Sequence, residues 1–362
     1  HQSDIPMNLK SSLAAAAMAM LTASAAYPCT GITLRSSNGD VVASRTVDWS
    51  KSKYESQYVV VPRGHRLQSY ATYTDKGMSE TAKYGFVGLT AGAPEIIVDG
   101  INEKHLCAEL FFFPGYGRYP DYISSQSAIT IGDLQLVSMV LGSCADLDEV
   151  VAFINGARIS HSVPGGETAH WRFTQADGRQ IILEIIDGNV RFYDSIGVLA
   201  NSPSYEWHLT NLNNYINLHP GIAAPHKLDG LTLQSFSNGT GLLGLPGDFS
   251  SPSRFVRAAI LQGTARPQAT PYATVMQSFQ ILNNLDVPQG TTEPLDAPIT
   301  DMLSATQWTC STDVTNLVIY YHTQSDRNIR VIDLKTIDFG KVKYQYHQLD
   351  SATTPVSYIS VK

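Results

Sequence analysis

Three side chains near the start of this chain have the chemistry to make and break an acyl bond. Cys29 follows a stretch of small residues, Leu21-Thr-Ala-Ser-Ala-Ala26, and opens a segment that closes on Arg45-Thr-Val-Asp48. If the chain is cut before Cys29, that residue carries both a thiol and a free α-amino group. An α-amine has an ordinary pKa of roughly 7.7–8.0, so near neutral pH it can take the thiol proton and later return one to a leaving group. Nucleophile and base then sit on one residue. A guanidinium nearby favours the thiolate, and a carboxylate can orient the amine. Between Cys29 and Asp48, Thr30 to Leu34 alternates, Asn38-Gly39 marks a tight turn, and Val41 to Val47 returns. That hairpin predicts Arg45 and Asp48 beside Cys29. A surface ion pair accounts for the same spacing.

The residues before Cys29 read as a secretory leader. Residues 1–26 hold Lys10 as a short positive region, an apolar run from Leu13 to Leu21, and Ala23-Ser-Ala25 as a cleavage site. The run is too short to span a bilayer as a helix. Tyr27-Pro28 is then a spacer removed on maturation, and residues 29–362 form one domain. A lipid anchor on Cys29 is disfavoured because Tyr27 and Pro28 are bulky or rigid. The expected location is periplasmic or secreted, with no membrane attachment once the leader is gone.

Composition narrows the function further. Hydrophobic residues make up 43% and charged residues 16%, which describes a globular chain with a sizeable core. The net charge is −7 and no run of Lys or Arg occurs, so nucleic acid is not a partner. Four cysteines (Cys29, Cys107, Cys144 and Cys310) are too few for a disulfide scaffold, and none has zinc-site spacing. Neither metal nor organic cofactor is expected.

The elements that must position Cys29 follow a simple order. Gln57 to Val61 and Tyr84 to Leu89 read as paired strands. Glu95 to Asp99 leads into a turn at Gly100-Ile-Asn-Glu, and Leu106 to Phe113 reads as a buried strand. Asp133 is placed to cap a helix over Leu134 to Leu141, and Asp146 a second helix. A meander covers Thr168 to Tyr193. Helices follow over Pro252 to Gln262 and Pro271 to Asn283. Strands at Leu317 to Thr323, Asn328 to Leu334 and Val342 to His347 close the chain. This order is not the alternation of a parallel sheet. It predicts an α+β fold of two stacked, mainly antiparallel sheets with helices outside.

Several collinear motifs resemble the choloylglycine hydrolase family, which includes conjugated bile salt hydrolases and penicillin V acylases within the N-terminal nucleophile hydrolase superfamily. They are Cys29-Thr-Gly with Arg45-Thr-Val-Asp48, Asp99-Gly-Ile-Asn-Glu-Lys104, Leu199-Ala-Asn-Ser-Pro203 with Tyr205-Glu-Trp207, Asn211-Leu-Asn-Asn-Tyr215, Gly239 to Phe249, Ser253-Arg-Phe255 and Ile281-Leu-Asn-Asn284. The resemblance implies a four-layer αββα sandwich and hydrolysis of non-peptide amide C–N bonds. It implies Cys29 as nucleophile and base, flanked by Arg45 and Asp48. Asn201 would donate its side-chain amide to the oxyanion, and Arg254 would support the charge of the site. The segment Asn211 to Gly230 resembles the hairpin through which relatives form tetramers, so a homotetramer or other homo-oligomer is expected.

Phe112 departs from the family, whose members often carry Asn or Tyr there. Its backbone N–H can still serve an oxyanion hole, but it offers no polar side chain. Trp49, Tyr54, Phe111 and Phe113 are expected to line an apolar pocket with it. That favours penicillin V or another hydrophobic acyl amide, with conjugated bile acids and N-acyl homoserine lactones as alternatives. The competing class is a secreted, non-catalytic binding protein on the same fold.

Overall fold

The structure is a computed structural model that describes residues 28–49, 56–72, 74–298 and 304–361. The proposed leader, Tyr27 and Tyr54 lie outside these residues. The chain opens with the hairpin of β1 (Cys29–Arg35) and β2 (Val41–Trp49). Its turn depends on Gly39, whose φ of 91° lies in the left-handed region that favours glycine. Next come β3 (Gln57–Val61), β4 (Arg66–Tyr70), β5 (Lys76–Thr81), β6 (Phe86–Thr90), β7 (Ile97–Asn102) and β8 (Cys107–Phe112). Short β9 (Thr130–Gly132) and β10 (Arg158–Ser160) flank the helices Leu136–Ser143 and Leu147–Asn155. The meander β11 (Ala169–Thr174), β12 (Gln180–Ile186) and β13 (Asn189–Asp194) leads to the helix Tyr205–Asn211 and the hairpin β14 (His226–Leu228) and β15 (Leu231–Leu233). The helices Ser251–Thr264 and Pro271–Leu282 precede β16 (Ala305–Asp313), β17 (Val318–Thr323), β18 (Arg330–Asp333) and β19 (Gln345–Gln348).

Two large antiparallel sheets result. One has five strands in the order β1-β2-β16-β17-β18, the other eight in the order β13-β12-β11-β8-β7-β6-β3-β19. Val41, Val47, Leu110, Phe173, Trp308 and Cys310 belong to one apolar core shared by the two sheets. The helices Ser251–Thr264 and Pro271–Leu282 cover β1 and β2, and Leu136–Ser143 covers β7 and β8. The layers are therefore helix, sheet, sheet, helix, as the element order predicts. No helix among the described residues is long and apolar enough to cross a membrane.

Four local expectations are corrected. Gly100 lies inside β7, and the turn falls after Asn102, whose Oδ1 accepts the N–H groups of Lys104 and Leu106. Asp133 does not cap the following helix. Its carboxylate accepts from Leu134 and Ser162, and the α-helix begins at Leu136. The hairpin of β4 and β5 interrupts what reads as a direct link from β3 to β6. Lastly, β16 is absent from the sequence reading. Thr, Ser and Gln residues break its apolar pattern, yet every residue of the strand is buried. Ser311 Oγ lies 2.8 Å from Ser44 Oγ and 2.7 Å from Ser278 Oγ, while Thr309 Oγ1 and Thr312 Oγ1 are buried with no hydrogen-bond partner. The paired hydroxyls avoid the desolvation penalty of a buried polar group without a partner.

Candidate active site

The register of the first hairpin brings the predicted residues together. Cys29 stands opposite Val47, Gly31 opposite Arg45, and Arg45 opposite Cys310 of β16. Arg45 is fully buried and reaches into the second sheet. Its Nη1 donates to the carbonyls of Val98 (3.0 Å) and Leu110 (2.7 Å), and its Cζ lies 4.0 Å from the centre of the Phe111 ring. Burial pushes the Cys29 thiol up. Arg45 pulls it down most strongly, the Asp48 carboxylate opposes that pull, and the Asp48 N–H and Arg254 add to it.

Asp48 is held by a strand the sequence reading lacks. Its Oδ1 accepts from Thr306 Oγ1 on β16 (2.5 Å), and that hydroxyl accepts the Val287 N–H (2.9 Å). Burial raises the Asp48 carboxyl to about 7, with Arg254 as the main restraint. The Asp48 backbone N–H donates to the carbonyl of Pro28 (3.1 Å), the residue joined to Cys29.

Asn201 and Arg254 close on the Cys29 main chain. The Cys29 N–H donates to Asn201 Oδ1 (2.9 Å), and that oxygen also accepts from Arg254 Nη2 (2.7 Å). Arg254 Nη1 donates to the Cys29 carbonyl and to Thr30 Oγ1, each at 2.7 Å. Burial lowers the Arg254 guanidinium to about 10, with Asp48 opposing, so it stays charged at neutral pH. Asn201 Nδ2 donates to the Phe112 carbonyl (2.8 Å). An amide nitrogen has two donors, so one remains for a substrate oxygen. Phe112 thus meets Asn201 with its carbonyl oxygen rather than its N–H.

A cleft of about 410 Å³ opens beside these groups, lined by Pro28, Pro114, Asn201, Ser202, Phe249 and Arg254 among others. Trp49 and Phe112 are both buried, with ring centres 6.1 Å apart. None of Trp49, Phe111, Phe112 and Phe113 is among the described residues that line the cleft. Phe111 lies between two guanidinium groups, Arg45 at 4.0 Å and Arg172 at 5.7 Å, and Phe113 stacks flat on His170 at 4.6 Å. Both are apolar rings spent on holding buried polar groups, a use that a run of three phenylalanines does not advertise. Among the described residues no three His, Cys, Asp or Glu side chains converge as metal ligands would.

Further polar residues belong to the site and carry no signal in spacing. Arg172 grips Glu109 through Nε (2.6 Å) and Nη2 (2.7 Å), and its Nη1 donates to the carbonyls of Ile32 (3.1 Å) and Gly197 (2.7 Å). Thr306, His170, His208 and Ser251 are equally silent. Only His208 adjoins a motif noted above, as the residue after Tyr205-Glu-Trp207.

Two stacked antiparallel sheets between helices, with a cysteine heading the first strand, define the N-terminal nucleophile hydrolase class. Residues 29–352 match the family described as linear amide C–N hydrolases, choloylglycine hydrolase family, and the chain belongs to that family. The reading as a non-catalytic binding protein gives way to a hydrolase. The chain is 29% identical to the bile salt hydrolase/transferase of Clostridium perfringens over 88% of its own length and 97% of the relative's. It is 24% identical to the penicillin V acylase of Pectobacterium atrosepticum, over 83% of this chain and 78% of that one. Among solved structures it matches the conjugated bile acid hydrolase of Clostridium perfringens with a TM-score of 0.79 at 26% identity, covering 92% of this chain and all of the other.

Proposed function

We propose that this linear amide hydrolase works through a thioester on Cys29. The observation that carries the reading is the grip on the Cys29 main chain, with Asn201 Oδ1 on its nitrogen and Arg254 on its carbonyl. The family match also starts at Cys29. Here the Cys29 nitrogen is in a peptide bond with Pro28, so cleavage of that bond must come first. The free amine then takes the thiol proton, and Sγ attacks the amide carbonyl carbon. The second donor of Asn201 Nδ2 meets the developing oxyanion. The ammonium returns its proton to the leaving amine as the C–N bond breaks. Water, deprotonated by the same amine, attacks the thioester, and Sγ leaves with the proton. The leader implies export to the periplasm or medium, and the chain acts as a homo-oligomer.

The acyl group we favour is apolar, as in penicillin V. Phe112 stands where the family often carries a polar side chain and packs near Trp49 beside the Asn201 amide, and burial of apolar surface contributes about 25 cal/mol per Å². A second reading is a conjugated bile acid. It is favoured by the bile salt hydrolase/transferase being more similar in sequence than the penicillin V acylase. Intact mass should find active protein beginning at Cys29, and iodoacetamide should abolish turnover. In a panel of penicillin V, taurocholate and a long-chain acyl homoserine lactone, kcat/KM should be highest for an apolar acyl group. Phe112→Asn should narrow its lead over taurocholate. A wild-type preference for taurocholate selects the second reading, and full activity of a chain still beginning at Tyr27 rejects the Cys29 amine as base.

A further inference from the structure

The Asn201 main chain is fixed on both sides of its peptide unit. Its backbone N–H donates to Ser251 Oγ (3.0 Å), and its carbonyl oxygen meets His208 Nε2 (2.8 Å). One residue earlier, the carbonyl of Ala200 meets His170 Nε2 (2.9 Å). A carbonyl can only accept, so each imidazole carries a proton on Nε2. Both rings are fully buried, and each lies flat against a phenylalanine. Phe255 stacks on His208 at 4.4 Å and 10°, and Phe113 on His170 at 4.6 Å and 9°. His170 Nδ1 lies 3.1 Å from Glu184 Oε1, and that oxygen also accepts the N–H of Tyr205, the first residue of the helix that carries His208. The two histidines, Glu184 and two aromatic rings thus form one brace under residues 200 and 201.

We propose that His208, with His170 beside it, is a positioning residue for the reaction: it locks the Asn201 main chain so that the side-chain amide stays aimed at the Cys29 carbonyl-attack site. His208 Nδ1 is buried with no hydrogen-bond partner, so the ring has one donor and one place to direct it. Burial lowers His208 to about 4, with the bond to the Asn201 carbonyl opposing it, and the ring stays neutral at working pH. An oxyanion donor is effective only where it already points at the developing charge. A misplacement of about 1 Å can cost on the order of 10²-fold in rate. The inference rests on the reading of Asn201 as that donor.

The test is a double-mutant cycle on the matured enzyme. Asn201→Ala is expected to lower kcat by roughly 10²–10³-fold. His208→Leu is expected to lower kcat by up to about 10²-fold with KM little changed. The double variant is expected to be no worse than Asn201→Ala alone, because His208 acts through Asn201. His208→Gln, which keeps an N–H donor of similar reach, should recover part of the loss. If Asn201→Ala is harmless, the oxyanion reading itself fails. If Asn201→Ala is crippling but His208→Leu melts as wild type and keeps its kcat, only the present inference fails. Losses that multiply in the double variant also overturn it. The wild-type protein supplies an independent check: ¹⁵N-resolved NMR should find His208 neutral with its proton on Nε2 from about pH 5 to 8. A neutral ring with its proton on Nδ1 overturns the proposal whatever the variants do, because it could not donate to the Asn201 carbonyl.

Discussion

Asp48 has a carboxyl with one oxygen bonded to Thr306 and the other buried with no hydrogen-bond partner. Its folded value of about 7 stands well above the ordinary 3.8, because burial penalises the charged form. A carboxyl raised in this way makes a contribution to stability that is full below the unfolded value and is lost as pH rises through the folded one. The loss should run from about pH 4 to about pH 7 and be on the order of 4 kcal/mol. On the Cys29→Ala chain, which cannot process itself through this thiol, urea midpoints should fall across that window. Asp48→Asn should flatten the slope. A slope that survives the substitution would assign the titration to another buried acid, such as Asp99, which burial and Glu109 also raise.

At the scale of elements, the two sheets are pinned together by Arg172 of β11. Its guanidinium is gripped by Glu109 of β8 and donates to Ile32 of β1, so the strand that carries Cys29 is tied to the opposite sheet. Gly31 makes the tie possible. A Cβ at that position would lie 2.8 Å from Arg172 Cζ, and the guanidinium has no freedom to move aside. Gly31→Ala should therefore destabilise the protein by about 1–3 kcal/mol. Arg172→Leu should cost about 3–5 kcal/mol, because it leaves Glu109 charged and unpaired in the core. Adding Glu109→Leu to Arg172→Leu should restore part of that loss. Chemical denaturation checks all three, and additive losses for the pair would contradict a buried ion pair as the tie.

At the scale of the molecule, the hairpin of β14 and β15 pairs only with itself among the described residues. Around it Ile216 (89%), Leu231 (63%), Phe236 (104%) and Leu243 (81%) are exposed. We propose this segment, residues 216–243, as the association surface of the homo-oligomer, because exposed apolar residues favour burial against a partner. Light scattering should give an oligomer for the wild-type chain. The combination Leu231→Asp and Phe236→Asp should give a monomer. A monomeric wild type would remove the hairpin from any role in assembly.

Residue identity and local pattern by themselves placed Cys29, Arg45 and Asp48 on the Asn38-Gly39 hairpin and set the order of sheets and helices, and resemblance to contiguous family motifs singled out Asn201 and Arg254. These features are local, or recur as contiguous motifs, so a linear reading reaches them. Tertiary structure alone decided which polar residues are buried and what they hold. β16 escapes a linear reading because the partners of Thr306 and Ser311 lie on β2 and in the helix Pro271–Leu282. Phe111 and Phe113 read as pocket residues because only the packed sheets bring guanidinium and imidazole groups onto their faces. His208 adjoins a recognisable motif, yet its task depends on an Asn201 carbonyl that the fold presents to it. A side chain's partners across the core are long-range contacts, and their free energy appears only once the layers are assembled.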